Sequence, residues 1–223
     1  MYDEILSLTL EEGKKERKHY LYLGLKRLFD ILLSEVMIIL LLPVFLIVSI
    51  LIKLDSKGPV FLKQTRIGKN GRPIKIYKFR SMVDHAEDVL ETMMKNDPKI
   101  YEEYTTNKKL KNDPRVTRIG KIIRKTSIDE LPQLLNIFNG DMTFVGPRPY
   151  LPREQMDMGG YYNYIIKMTP GLTGLWQVSG RSDCGFKDRL KLDAKYYHNR
   201  SLKNDLKIMF QTISVVVIGK GAK

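Results

Sequence analysis

The chain has 223 residues, with 38 Lys and Arg against 25 Asp and Glu, for a net charge of +13. That length buries one core, and the basic balance favours an anionic partner: nucleic acid, an acidic membrane surface or a phosphorylated small molecule. A single cysteine, Cys184, excludes an internal disulfide and a cysteine-based metal site, and three scattered histidines form no ligand cluster.

Residues 1–20 are polar and charged and read as a helical or loose leader. Residues 21–56 follow as a membrane segment, in which Val36 to Ile52 carries no charge. A spanning helix needs about 20 apolar residues, so the run suffices only with its upstream turn. Pro43 interrupts it near the middle and removes a helical hydrogen bond. Basic residues flank both sides: Lys14, Lys15, Arg17, Lys18, Lys26 and Arg27 before, Lys53, Lys57, Lys63, Arg66 and Lys69 after. Positive residues favour the cytosol, so both ends ask for the same side. A re-entrant helix-break-helix satisfies both; an ordinary kinked transmembrane helix is the alternative.

Residues 57–223 are then expected to form a single domain on the cytosolic side, the one that carries the chemistry-bearing stretch. Phe61–Ile67 and Pro73–Phe79 are expected strands of a hairpin turning around Asn70-Gly71. Gly68 to Gly71 lacks P-loop spacing and reads as a turn. The charged stretch 84–111, with Leu90, Met93 and Met94 at helical spacing, reads as a solvated insertion. From Pro114 to Lys125 an apolar face (Val116, Ile119, Ile122, Ile123) opposes a basic one (Arg115, Arg118, Lys121, Arg124, Lys125). That basic stripe is either solvated or faces phosphates and lipid headgroups. At the end of the chain, Leu202 to Ile218 sets Leu206, Met209, Phe210, Ile213 and Val217 on one helical side, a core helix or one lying on a membrane. The fold class expected is α+β, mainly helical, with a small β-hairpin and amphipathic surface helices.

The stretch Arg124 to Pro149 concentrates the chemistry. Leu131, Leu134, Leu135 and Phe138 keep helical spacing, and Gly140 suits the stop. This helix is expected to start near Ser127 to Asp129. Ser127 and Glu130 fit a capping box, so capping alone accounts for the acidic pair Asp129-Glu130. A helix start also attracts phosphate, and would keep Asp129 ionised as a nucleophile or Mg²⁺ ligand. Carboxylates can attack phosphorus, and a hard cation can bridge carboxylate and phosphate. Arg148 stands between Pro147 and Pro149, a rigid mount for a guanidinium fork; the isomer of each proline is left open.

Taken in order, Lys26-Arg27-x-Phe29-Asp30, the proline-broken apolar segment, Ile76 to Met82, Asp129-Glu130-Leu131, Gly140-Asp141-Met142, Val145 to Pro149, Pro170 to Gly174, Gln177-Val178 and Gly180-Arg181 closely resemble the bacterial sugar transferases. These are the monotopic polyprenyl-phosphate hexose-1-phosphate transferases, or phosphoglycosyl transferases, and the resemblance covers about residues 20–219. It implies that Asp129 attacks the β-phosphate of a UDP-sugar, releases UMP and holds the sugar phosphate until undecaprenyl phosphate takes it. It further implies Glu130 as helper, Mg²⁺ as cofactor, phosphate binding by Arg148, Lys78, Arg80, Arg124 and Arg181, and a re-entrant helix broken at Pro43. The implied place is the cytoplasmic face of a bacterial cell membrane.

This chain departs from the pattern in having Leu42, where shorter members often carry Ser, before Pro43. The extra N-terminal membrane helices of larger members are not expected, so the catalytic unit is read as standing alone. Tyr150 to Glu154 is closest to members that transfer galactose-1-phosphate or glucose-1-phosphate for capsule or exopolysaccharide assembly. A homodimer is left open. The competing reading is a membrane-tethered basic protein that binds acidic lipid or nucleic acid, with Asp129 merely capping. No recognisable nucleic-acid module supports it, so no nucleic acid is expected as partner.

Overall fold

The computed structural model describes residues 2–107, 110–180 and 184–218. Its first helix, α1, runs from Tyr2 to Asp55 without interruption. The backbone is therefore helical through the expected leader, and Pro43 does not break it. Proline forfeits one hydrogen bond, and the many that remain on either side hold the helix. Among the described residues, the part from His19 to Asp55 is the one helix long and apolar enough to cross a membrane, and little of it is covered by the protein.

From Leu33 to Ile52 one face of α1 packs along the body. Leu33, Met37, Ile38 and Leu41 join the main core around Leu134, Ile137, Met142 and Phe144. One or two turns later Val44, Phe45, Val48 and Ile52 pack with Phe79 and Ile123. The spacing of three and four residues is that of a helix stripe facing a partner. The opposite face leaves Leu25, Leu32, Val36, Leu40, Ile47 and Leu54 exposed.

Polar ties fasten both ends of the apolar stretch of this helix to the same body. On its N-terminal side, midway along α1, Arg27 donates to the carbonyls of Ile137 and Phe138, at 2.6 and 2.7 Å. Lys26 donates to Asp205 and to the Val145 carbonyl, while Asp30 accepts from the Phe144 amide. At the far end Asp55 accepts from the Ile119 amide at 3.0 Å. Arg80 donates to the carbonyls of Ile52, Ser56 and Lys57, closing the α1 C-terminus. Several charges read from the sequence as membrane flanks are thus structural: Lys26 and Arg27 bind the body, and Arg66 is only 6% exposed. Charge counting could not distinguish a free cation from one with an internal acceptor.

Strands β1 (Phe61–Ile67) and β2 (Pro73–Phe79) form the expected antiparallel hairpin, Phe61 opposite Phe79 and Ile67 opposite Pro73. Helices α2 (Ala86–Asn96) and α3 (Pro98–Asn107) make up the charged insertion, with Leu90 buried. Helix α4 (Arg118–Lys125) begins at Thr117, whose hydroxyl accepts from the Gly120 amide. Two of its expected positions are exchanged. Arg115 is buried against Asp113 and leaves the basic stripe, and Ile122 is 59% exposed.

The expected helix from Ser127 is also corrected. Ile128–Glu130 is a 3-10 turn entered through Ser127 at φ 59°, and α5 begins only at Gln133. Ser127 makes no side-chain cap, so the capping box does not form. Pro132 supplies the reason: it precedes the first residue of α5, where a missing amide hydrogen costs little. Gly140 ends α5 as expected, at φ 89°.

Strand β3 (Thr143–Val145) pairs in parallel with β4 (Gly171–Thr173). Short helices α6 (Tyr162–Ile165) and α7 (Leu175–Ser179) flank it, followed by α8 (Phe186–Asn199) and α9 (Leu202–Ile218). On α9 the inner side carries Asp205 and Ile208, both buried. Leu206, Phe210 and Ile213 are exposed, while Met209, expected beside them, packs on the core. The side chain of Val217 lies outside those described. The observed class is mostly helical with two small sheets and one long apolar helix.

Candidate active site

The hairpin, the 3-10 turn and α5 converge through one buried amide. Asn136, fully buried on α5, accepts from the Tyr77 amide and donates to the Lys75 carbonyl. This fixes β2 against α5, and the next outward residue of β2, Lys78, reaches Glu130 at 2.7 Å. Sequence reading passed over Asn136, because a lone Asn inside an apolar helix carries no pattern of its own.

The two carboxylates are not equivalent. Burial, and then the charge of Glu130, push Asp129 up to about 6, against the pull of Lys78 and Arg124. Burial also works to raise Glu130, but Lys78, Arg148 and Arg66 outweigh it and hold Glu130 below the usual range. The helix-start field expected to keep Asp129 ionised is therefore missing, and its carboxyl lies above the ordinary value. No α-helix begins at Asp129; it is the less stabilised anion of a close pair. The Glu130 side chain is 38% exposed, so the pair is open to a ligand though crowded by protein.

Arg148 projects from the Val145–Tyr150 loop, which is clamped along its length. Val145 accepts from Lys26, Gly146 donates to Thr173, Pro147 accepts from Gly171, and Pro149 accepts from Arg66. Among the described residues every peptide bond is trans, including those preceding Pro147 and Pro149. A Cβ on Gly146 would lie 2.5 Å from the Thr169 carbonyl, so this crossing of β3 and β4 admits only glycine. The Arg148 guanidinium lies 5.7 Å from the centre of the Trp176 ring, and that of Arg189 lies 5.2 Å from the same ring.

The predicted residues divide accordingly. Lys78 and Arg124 act electrostatically on Asp129, and Lys78 and Arg148 on Glu130, so these three cations lie around the acidic pair. Arg80 does not join it: only 2% exposed, it is committed to the end of α1. Arg181 lies outside the described residues. Arg66 joins from β1, lowered to about 10 by burial and then by the charge of Arg148. An arginine in an alternating strand reads as a solvent-facing residue, which hid it. Asp193 and Trp176 were likewise invisible among helical residues.

Among the described residues no cluster of three or more acidic, His or Cys side chains could hold a metal by itself. The adjacent pair Asp129 and Glu130 fits Mg²⁺, which takes one or two carboxylates and completes its shell with waters and substrate phosphates.

A close carboxylate pair ringed by lysine and arginine, beside a long apolar helix, defines a membrane-associated class of enzyme that handles anionic groups. The family model for bacterial sugar transferases matches residues 21–219, and the chain belongs to that family. It is 44% identical over 197 residues to the exopolysaccharide production protein ExoY of Sinorhizobium fredii, covering 88% of this chain and 87% of the relative. An undecaprenyl-phosphate galactose phosphotransferase of Salmonella typhimurium is 40% identical over 219 residues, covering 98% of this chain and 45% of that protein. A UDP-glucose:undecaprenyl-phosphate glucose-1-phosphate transferase of Klebsiella pneumoniae is 39% identical over 205 residues, covering 88% and 41%.

Proposed function

We propose that this protein moves a hexose-1-phosphate from a UDP-sugar to undecaprenyl phosphate, as the first membrane step of capsule or exopolysaccharide synthesis. The observation that carries this reading is the unequal pair: Glu130 held ionised by Lys78 and Arg148, and Asp129 left basic beside it. A carboxylate near 6 is still mostly ionised at neutral pH, and it is a better nucleophile than one at the ordinary value. An Asp129 oxygen forms a bond to the β-phosphorus of the UDP-sugar. The bond from that phosphorus to the bridging oxygen breaks, and its electron pair leaves with UMP. A phosphate oxygen of undecaprenyl phosphate then attacks the same phosphorus, freeing Asp129 and giving the lipid diphosphate sugar.

Arg148, Lys78 and Arg124 hold phosphate oxygens and offset their charge. Asp129 and Glu130 would hold Mg²⁺, which supplies Lewis-acid stabilisation of the transferring phosphoryl group. Galactose and glucose are the favoured sugars, from the names of the relatives.

The same reading lays the apolar stretch of α1 along one leaflet, with both of its ends on the cytoplasmic side. Lys26 to Asp55 would span roughly 44 Å if straight, against a hydrocarbon core of about 30 Å. Yet Arg27 and Asp55 are both bonded to one body. A helix that crossed the bilayer would deliver them to opposite sides. The exposed apolar faces of α1 and α9 support burial in one leaflet.

The test is UMP release by purified protein given Mg²⁺, a panel of UDP-hexoses and undecaprenyl phosphate. Without acceptor, mass spectrometry should find a hexose-phosphate on Asp129. Full turnover by Asp129→Asn would refute the assignment.

A further inference from the structure

Buried carboxylates away from the acidic pair deserve a function when they are poorly satisfied. Asp193, on α8, is 0% exposed. Its Oδ2 accepts from the Arg148 backbone amide at 3.1 Å and from the Tyr150 hydroxyl at 2.8 Å. Its Oδ1, equally buried, has no hydrogen-bond partner among the described residues. Burial pushes this carboxyl up to about 7, although the Tyr150 and Arg148 bonds pull it down. An interior acceptor left unsatisfied costs stability, so this residue is a poor choice for packing alone.

What Asp193 does achieve is local. The fork of Arg148 is held at one end by the face of Trp176, and its backbone is held at the other by Asp193. Pro147 and Pro149 carry no amide hydrogen. Between them the Arg148 amide is therefore the only backbone donor by which a neighbouring element can grip the Pro147–Pro149 segment.

We propose that Asp193 is a positioning residue for the transfer, fixing the Arg148 backbone so that its guanidinium meets a phosphate of the sugar nucleotide. The proposal rests on the reading of Arg148 as a phosphate-binding residue. It assigns Asp193 no contact with substrate.

Trp176 is the chain's single tryptophan and has the Arg148 and Arg189 guanidiniums against its ring, so its fluorescence reports both without any turnover, and the Arg148→Ala background isolates the part due to Arg148. The experiment is a double-mutant cycle on the full-length protein in lipid nanodiscs, with Asp193→Asn, Arg148→Ala and both together. Asp193→Asn should shift Trp176 emission in the direction that Arg148→Ala does, and raise KM for the UDP-sugar about tenfold with a smaller change in kcat. In the Arg148→Ala background it should change neither emission nor KM further. Losses that add in full, or a wild-type KM for Asp193→Asn, would overturn the proposal. A wild-type KM for Arg148→Ala would instead remove the phosphate role of Arg148, while shared emission changes would still show the positioning. If Asp193→Asn fails to fold, Asp193→Ser replaces it in the same cycle.

Discussion

Lys78 Nζ lies 2.7 Å from Glu130 Oε1, and the same ammonium also draws the Asp129 carboxyl downward. One lysine thus serves both acids, and removing it has a sign that can be worked out. Deprotonation of an acid becomes harder when a nearby positive charge is lost, so Lys78→Met raises both carboxyls. In the unaltered protein kcat/KM should fall about tenfold per pH unit below about 6, where Asp129 takes up its proton. In Lys78→Met that acid limb should move to higher pH, with lower activity at neutrality. A pH–rate profile checks this; a limb at the same pH in both proteins contradicts the role of Lys78.

Arg80 should behave as a stability residue. Its guanidinium is buried, and it serves the carbonyls of Ile52, Ser56 and Lys57. Arg80→Ala should cost on the order of 3 kcal/mol, from lost charge-assisted bonds and unsatisfied carbonyls. The turnover of protein that remains folded should stay near normal. Thermal melts beside activity per folded molecule separate this from Arg148→Ala, which should lose activity with little change in melting temperature.

The two ends of the apolar stretch of α1 should face the same compartment. Cysteines placed at His19 and Lys57, with Cys184 replaced by Ser, should both react with an impermeant thiol reagent in inside-out vesicles and neither in intact cells. Labelling of one site from each side would establish a spanning helix.

Gly146→Ala should abolish folding or activity, because its methyl would meet the Thr169 carbonyl and the Gly171 backbone at the β3–β4 crossing. Expression and circular dichroism distinguish the two outcomes.

Much of this was legible in the sequence for physical reasons. The hairpin bounds followed from alternation and Asn70-Gly71, and the α9 bounds from its apolar period. Asp129 and Glu130 were visible because two acids behind a basic run are locally unusual. The hidden features were those decided across the chain. Whether an arginine binds a ligand or a carbonyl depends on what lies opposite, so Arg80, expected on phosphate, and Arg66, expected as a membrane flank, both serve carbonyls instead. The turn through positive φ at Ser127 leaves no compositional trace, although Pro132 does mark where α5 begins.

The polar ties of Lys26, Arg27 and Asp30 make α1 something other than an anchor attached to an enzyme. They reach Val145, the end of α5 and Phe144, the same segments that carry Arg148 and stand behind the carboxylate turn. Trimming the apolar helix to obtain a water-soluble version would withdraw internal struts from the active site. Detergents or nanodiscs that preserve α1 should therefore be needed for activity as well as for solubility.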